Sequence, residues 1–266
     1  LIMLIINPVV FYFTWISAEV FICSCVVLTM LFWSRNEYKK AAIAVSVAST
    51  LNPAILALAI VMILDFLTGL FRKQKIRSFK DILVRFKTNS ESIFLYGCCY
   101  IIAIIPFIYN YSQVGSINLT AALPRFRDST GTFPRFIAYL FDLNFGFLPY
   151  FSFLFLLFLI LIPFAVFYKK TRFLWLTAGF FGTVAIYSLM SHINCGFSAI
   201  ARYSAWCAPI MLFGVVEYYD EIIKVRLLKL MANISLIVTF VIMLFILYLY
   251  GPMSASNVSV FEMTPI

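Results

Sequence analysis

FYFTWISAEVFICSCVVLTMLFW, Phe11 to Trp33, decides the architecture. It is one apolar run with a single ionisable residue, Glu19, and a helix needs about 20 such residues to cross a bilayer. SRNEYKK follows at once and supplies Arg35, Lys39 and Lys40, the flank expected on the inner side of a membrane. The same alternation repeats along the chain. Apolar residues make up 64% of the sequence and charged residues 12%, about half the charge of an ordinary soluble domain. The expected fold is all-α: a polytopic helical membrane protein of about 6–8 membrane helices with an outer interfacial helix, forming one transmembrane domain over residues 1–266.

Beyond the first span, Ala41 to Phe71 is interrupted by Asn52-Pro53. Both of its flanks are basic, so it reads as a hairpin or re-entrant pair. An inside basic segment, 72–87, follows. Further spans are expected at Ile93–Tyr109, Phe151–Tyr168, Phe173–Met190, Tyr203–Val216 and Met231–Tyr250. Sixteen of the 20 Lys and Arg fall in four inside segments, ending at Lys40, Lys87, Arg172 and Lys229, and four fall outside: Arg125, Arg127, Arg135 and Arg202. That split fixes the orientation. The net charge of +9 belongs to this topology signal and not to nucleic-acid binding; its partners are membrane lipids. The setting is a multi-pass protein of a plasma or inner membrane.

The outer loop, 111–150, holds an amphipathic helix at about 133–145. Phe133, Phe136, Ile137, Leu140 and Phe141 share one face, and Arg135, Tyr139 and Asp142 the other. Such a helix lies at the bilayer surface, either as a platform carrying cations towards an anionic ligand or as a plain connector over helix ends.

Candidate binding residues follow from depth and charge. Glu19, inside a span, is costly to bury and needs a cavity or a partner. Arg125, Arg127 and Arg202 can fork onto a phosphate. Asp142, His192, Asn194 and Tyr203 stand on the same outer side. Asp65, near the inner end, is expected to pair with Arg72. With six Cys, one His and no CxxC there is no metal motif, although Cys195 and Cys207 flank an outer loop and are close enough in sequence to pair. No Ser/His/Asp arrangement or phosphate-binding glycine loop occurs.

Four segments carry a family resemblance: Thr14–Phe21 around Ser17-Ala18-Glu19; Ala41 to Asn52-Pro53; Tyr139–Gly146 with Asp142-Leu143-Asn144-Phe145-Gly146; and Asn194 to Pro209 with Ala201-Arg202-Tyr203. In order and spacing they resemble the GT-C type of polytopic membrane glycosyltransferases. The resemblance implies sugar transfer from a polyprenyl-phosphate donor on the outer face, with or without a divalent metal and with no other cofactor. It also implies a catalytic acid in the first outer loop, which would precede Leu1; no catalytic residue is therefore assigned within this stretch. The competing readings are a flippase, transporter or polymerase of lipid-linked saccharides, and a scaffold subunit.

Overall fold

The computed structural model describes residues 18–72, 84, 87–115, 131–142, 146–189, 202–222 and 224–254. All regular structure among them is helical. The helices are α1 (Glu19–Ser34), α2 (Tyr38–Leu51), α3 (Leu56–Arg72), α4 (Ser90–Val114), α5 (Thr132–Phe141), α6 (Phe147–Phe167), α7 (Thr171–Ser188), α8 (Arg202–Glu217), α9 (Tyr219–Ile222) and α10 (Arg226–Ser254). A 3₁₀ turn, Pro53–Ile55, joins α2 to α3. One segment, Ile93–Val114 in α4, is long and apolar enough to cross a membrane, and it is little buried.

Five helices close a ring: α1 packs on α2, α2 on α3, α3 on α7, α7 on α8, and α8 back on α1. Outside the ring, α4 lies on α2, α6 covers α7 and α8, α10 lies on α6, and α5 caps α6 and α7. One end of the ring holds Ser34, Tyr38, Asp65, Arg172 and Glu217 and is called the basic end. The opposite, aromatic end holds Glu19, Tyr139, Tyr187 and Trp206.

The turns at the basic end are tight. After α1, Asn36 takes φ 59°; its N–H reaches the Trp33 carbonyl at 2.9 Å and that of Glu37 the Phe32 carbonyl at 2.8 Å. After α6, Lys169 takes φ 52° and the N–H of Lys170 reaches the Ala165 carbonyl at 2.8 Å. Both close the helix by satisfying its last carbonyls through a left-handed residue.

The Asn52-Pro53 hairpin forms as expected. Tyr38 at the start of α2 and Asp65 on α3 meet at the basic end, so the two helices are antiparallel. The break is satisfied locally. Asn52 Oδ1 accepts the Ala54 N–H at 3.1 Å, and the Asn52 N–H donates to the Ala48 carbonyl at 3.1 Å. Asn52 is buried, and so are Ala54 and Ile55, whose 3₁₀ turn packs on α7.

The core is a phenylalanine ladder. Phe147, Phe151, Phe155 and Phe158 recur along one face of α6 and are all buried. Phe147 and Phe158 meet Phe180 of α7 at ring-centre distances of 5.0 and 5.3 Å, and Phe158 meets Phe173 at 5.4 Å. Such pairs add about 0.5–1.5 kcal/mol each beyond the area they bury. Small residues let the neighbours close in. A Cβ on Gly214 would lie 3.0 Å from Phe158, and one on Gly179 3.0 Å from Leu58. Close approach through small residues is the usual way apolar helices associate in lipid.

Helix α5 differs from expectation in both extent and setting. It ends at Phe141, not near residue 145; residues 143–145 lie outside the described residues, and Gly146 caps α6 in place of ending α5. The connecting segment is also shorter at both ends than 111–150, because α4 runs on to Val114 and stops at Gly115 (φ 68°), and α6 begins at Phe147. The inside segment 72–87 lies largely outside the described residues.

Gly146 is fixed by space. An added Cβ would stand 2.6 Å from the Asp142 carbonyl oxygen, 2.7 Å from its nitrogen and 2.9 Å from the Ala138 carbonyl oxygen. These are backbone atoms and cannot swing aside. Gly146→Ala is expected to lower stability in detergent by about 1–3 kcal/mol, as overpacking does. Gly97→Ala, whose Cβ would meet nothing within 4 Å, is expected to raise it slightly. Equal melting temperatures for the two variants would contradict the packing at Gly146.

Candidate functional site

The site is built where α1, α5, α7 and α8 meet at the aromatic end. α1 and α8 run in parallel: Cys23 lies within electrostatic range of Cys207, and Met30 and Phe213 line one pocket near the far ends. One turn back from each cysteine stand Glu19 and Tyr203. The structure therefore brings Glu19 level with the start of α8, where Arg202 and Tyr203 open the helix. Glu19 is 4% exposed. It opens α1, where a carboxylate is favoured by the positive end of the helix dipole; residues 11–17 of the expected span lie outside the described residues.

Aromatic rings continue the site from α8 to α5. Trp206 packs edge-on against Tyr187 of α7 at 5.8 Å, and Tyr187 lies 6.3 Å from Tyr139 of α5. All three are buried. Phe136 meets Phe181 at 6.4 Å and Phe141 meets Phe155 at 5.8 Å, which anchors α5 across α6 and α7.

This anchoring sets the orientation of α5. Arg135 and Tyr139 of its polar face turn into the bundle, 8% and 1% exposed, together with Leu140 at 4%, while Phe133 at the start of the helix is 72% exposed and Ile137 is also exposed. The Arg135 Nε–H donates to the Gly131 carbonyl at 3.4 Å. Arg135 and Tyr139 were legible as one face but were not chosen as site residues. The hydrophobic periodicity gives the two faces of such a helix and leaves open which one meets the protein. Asp142 caps α5 and is half-buried; its carbonyl accepts the Gly146 N–H at 3.0 Å. Arg125, Arg127, His192 and Asn194, and the side chains of Arg202 and Tyr203, lie outside the described residues. Cys207 is a buried free thiol, so it does not pair with Cys195, which lies outside the described residues. Among the described residues no group of His, Cys, Asp or Glu is placed to hold a metal ion.

A second polar cluster, not foreseen as a unit, closes the basic end. Asp65 Oδ2 accepts Trp33 Nε1–H at 2.7 Å and Tyr38 O–H at 2.8 Å; the side chain of Arg72, its expected partner, lies outside the described residues. Arg172 donates to the Ser34 carbonyl at 3.2 Å and to Asn36 Oδ1, and stands 3.9 Å from Glu217. Lys170 pairs with Glu221 at 2.6 Å. The residues are scattered over five segments of sequence, so no local motif announces them. A pocket of about 190 Å³ opens beside this cluster, lined by Met30, Trp33, Arg172, Leu176, Phe213 and Glu217 among others.

No family model, curated protein or solved structure matches this chain.

Tyr38 precedes the apolar stretch that begins at Ala41. Burial pushes its phenol up to about 12, the Asp65 carboxylate adds to the shift, and Arg172 opposes it. An unfolded tyrosine titrates near 10. The folded chain thus holds this proton more tightly. Its contribution to stability is complete below about pH 10 and is lost as pH rises towards about 12. Unfolding in detergent between pH 8 and 11.5 should show a steeper alkaline loss for the native chain than for Tyr38→Phe. Parallel curves would mean that Asp65 does not hold the hydroxyl.

Proposed function

We propose that the chain is a multi-pass membrane glycosyltransferase of the GT-C type, using a polyprenyl-phosphate sugar at the aromatic end. The observation that carries this reading is the inward polar face of α5. In water a helix exposes Arg135 and buries Phe133; here the order is reversed. A helix exposes its phenylalanines and buries its arginine when the surroundings are apolar and the interior offers polar partners.

Multi-pass insertion has further support. Phe94, Ile101 and Ile108 on α4 and Ile237, Val241 and Phe245 on α10 are all exposed, a far larger apolar surface than a soluble monomer tolerates. Pro106, Pro163 and Pro209 sit inside α4, α6 and α8, as is common in membrane helices. Among the described residues α1, α3, α6 and α8 carry further apolar stretches of 10–17 residues.

In the proposed reaction the acceptor hydroxyl oxygen forms a bond to the sugar's anomeric carbon as the bond from that carbon to the donor phosphate oxygen breaks, and the acceptor's proton passes to a carboxylate base, which the GT-C resemblance places in the first outer loop. The departing phosphate gains negative charge. Arg135 and Arg202, from α5 and the start of α8, neutralise it. Pre-placed cations of this kind are the largest single contribution to many such reactions. Glu19, level with the start of α8, accepts hydrogen bonds from sugar hydroxyls, and Asp142, Asn194, His192 and Tyr203, which the sequence puts on the same outer side, are further candidates to bind the sugar or the acceptor. Arg125 and Arg127 supply further charge for the lipid phosphate. Trp206, Tyr187 and Tyr139 form the floor that keeps these groups in place.

Membrane vesicles containing the protein, a labelled polyprenyl-phosphate sugar and crude acceptor test the proposal. Arg135→Ala and Arg202→Ala should each lower transfer by roughly 10²–10³, the loss typical of removing one charge-stabilising group. Both variants should still fold in detergent, with some loss of melting temperature for Arg135→Ala because that side chain is buried. Arg135→Lys should keep part of the rate, since it retains the charge without the fork. Full transfer in a folded Arg202→Ala variant would overturn the assignment. Donor crossing the bilayer with no product formed would replace it with a transporter.

A further inference from the structure

The pocket at the basic end lies at the opposite pole from the proposed sugar site and is unused by it. Its walls come from three helices of the ring: Met30 and Trp33 of α1, Arg172 and Leu176 of α7, and Phe213, Val216 and Glu217 of α8. Its depth is apolar. Its mouth carries one guanidinium and one carboxylate, with 26% and 35% of their side chains exposed. The two stand 3.9 Å apart, within ion-pair range but beyond a hydrogen bond. Of its five N–H groups Arg172 directs two at Ser34 and Asn36 and also bonds to the Tyr38 hydroxyl, which leaves N–H groups to spare. Glu217 accepts no hydrogen bond among the described residues. A mouth with both signs, unspent donors on one side and unspent acceptors on the other, complements a zwitterion that is itself a donor at one end and an acceptor at the other.

We propose that this pocket binds the headgroup of an aminophospholipid, with the primary ammonium on Glu217 and the phosphate on the spare N–H groups of Arg172. The apolar depth takes the first carbons of the ligand. A quaternary choline lacks N–H and cannot bond to Glu217, and an anionic headgroup without an amine meets its charge. The pocket sits at the end that the charge distribution assigns to the inner membrane surface, where a headgroup reaches it without leaving the bilayer. The proposal rests on the membrane reading and is independent of sugar transfer.

The test uses the whole chain in vesicles of equal parts phosphatidylethanolamine, phosphatidylcholine and phosphatidylglycerol. The protein is extracted in mild detergent, and its retained lipids are counted by mass spectrometry. The ethanolamine lipid should be enriched roughly tenfold over the choline lipid, the factor one charge-assisted hydrogen bond supplies. Glu217→Gln should abolish the preference, and Val216→Trp, which fills the mouth, should lower retention. If Glu217→Gln does not fold, Val216→Trp decides alone. Equal retention of the three lipids, a preference for phosphatidylglycerol, or enrichment that survives both substitutions would overturn the proposal while leaving the sugar-transfer assay untouched. A chain that retains no lipid and stays in solution without detergent would overturn the membrane reading itself.

Discussion

One carboxylate oxygen holds the basic end together. Asp65 Oδ2 takes a hydrogen bond from Trp33 of α1 and another from Tyr38 of α2. Asp65 is 8% exposed, and a buried charge is tolerated only when its acceptor sites are filled. Both donors come from either side of the α1–α2 turn, and the acceptor comes from α3, so three helix ends are set by one atom. Arg172 then ties α7 to the same turn through Ser34 and Asn36 and stands beside Glu217 of α8. All five helices of the ring contribute a residue to this cluster. Directional bonds of this kind fix the rotation of one helix on another, which apolar contacts constrain weakly.

The opposite end is fixed by shape. Phe147 and Phe158 grip Phe180, Gly214 admits Phe158 between α6 and α8, and Gly146 forces the chain to turn against the backbone of Asp142 and Ala138. These contacts dock α5 with its polar face inward. The rotation of α5 decides whether Arg135 is a surface charge in water or a buried one near Tyr139. The packing of Phe136 on Phe181 and Tyr139 on Tyr187 selects the second. The position of a candidate phosphate ligand thus follows from aromatic packing one turn away.

Much of the fold was legible in the sequence, because apolar runs and basic flanks answer to a single solvent rule. Phe173–Met190 and Tyr203–Val216 match α7 and α8 to within two residues, and the Asn52-Pro53 hairpin is there. The candidate site was legible in part. Glu19 was found by its charge in an apolar run. Arg135 was seen as a polar face, but its direction depends on α6 and α7, which lie later in the chain. The Asp65 and Arg172 cluster was missed since its bonds join residues 27 to 138 positions apart on different helices. Local spacing finds pairs on one helix; it does not find pairs between helix ends.

The two ends of the ring place opposite demands on the same helices. α1 carries Glu19 at one end and Trp33 and Ser34 at the other, and α8 runs from Arg202 to Glu217 alongside it. Between these poles Cys23 of α1 stands near Cys207 of α8, and the buried Thr29 hydroxyl bonds back to the Cys25 carbonyl of its own helix. A slide of α8 along α1 is opposed along its length, by Trp206 against Tyr187 at the aromatic end and by Phe158 and Phe173 against Gly214. At the basic end Arg172, bonded to the Ser34 carbonyl of α1, stands 3.9 Å from Glu217 of α8. Aromatic packing and the polar cluster therefore act on the same helix of about 24 Å, and each pole can be altered by substitution while the other keeps α8 in place.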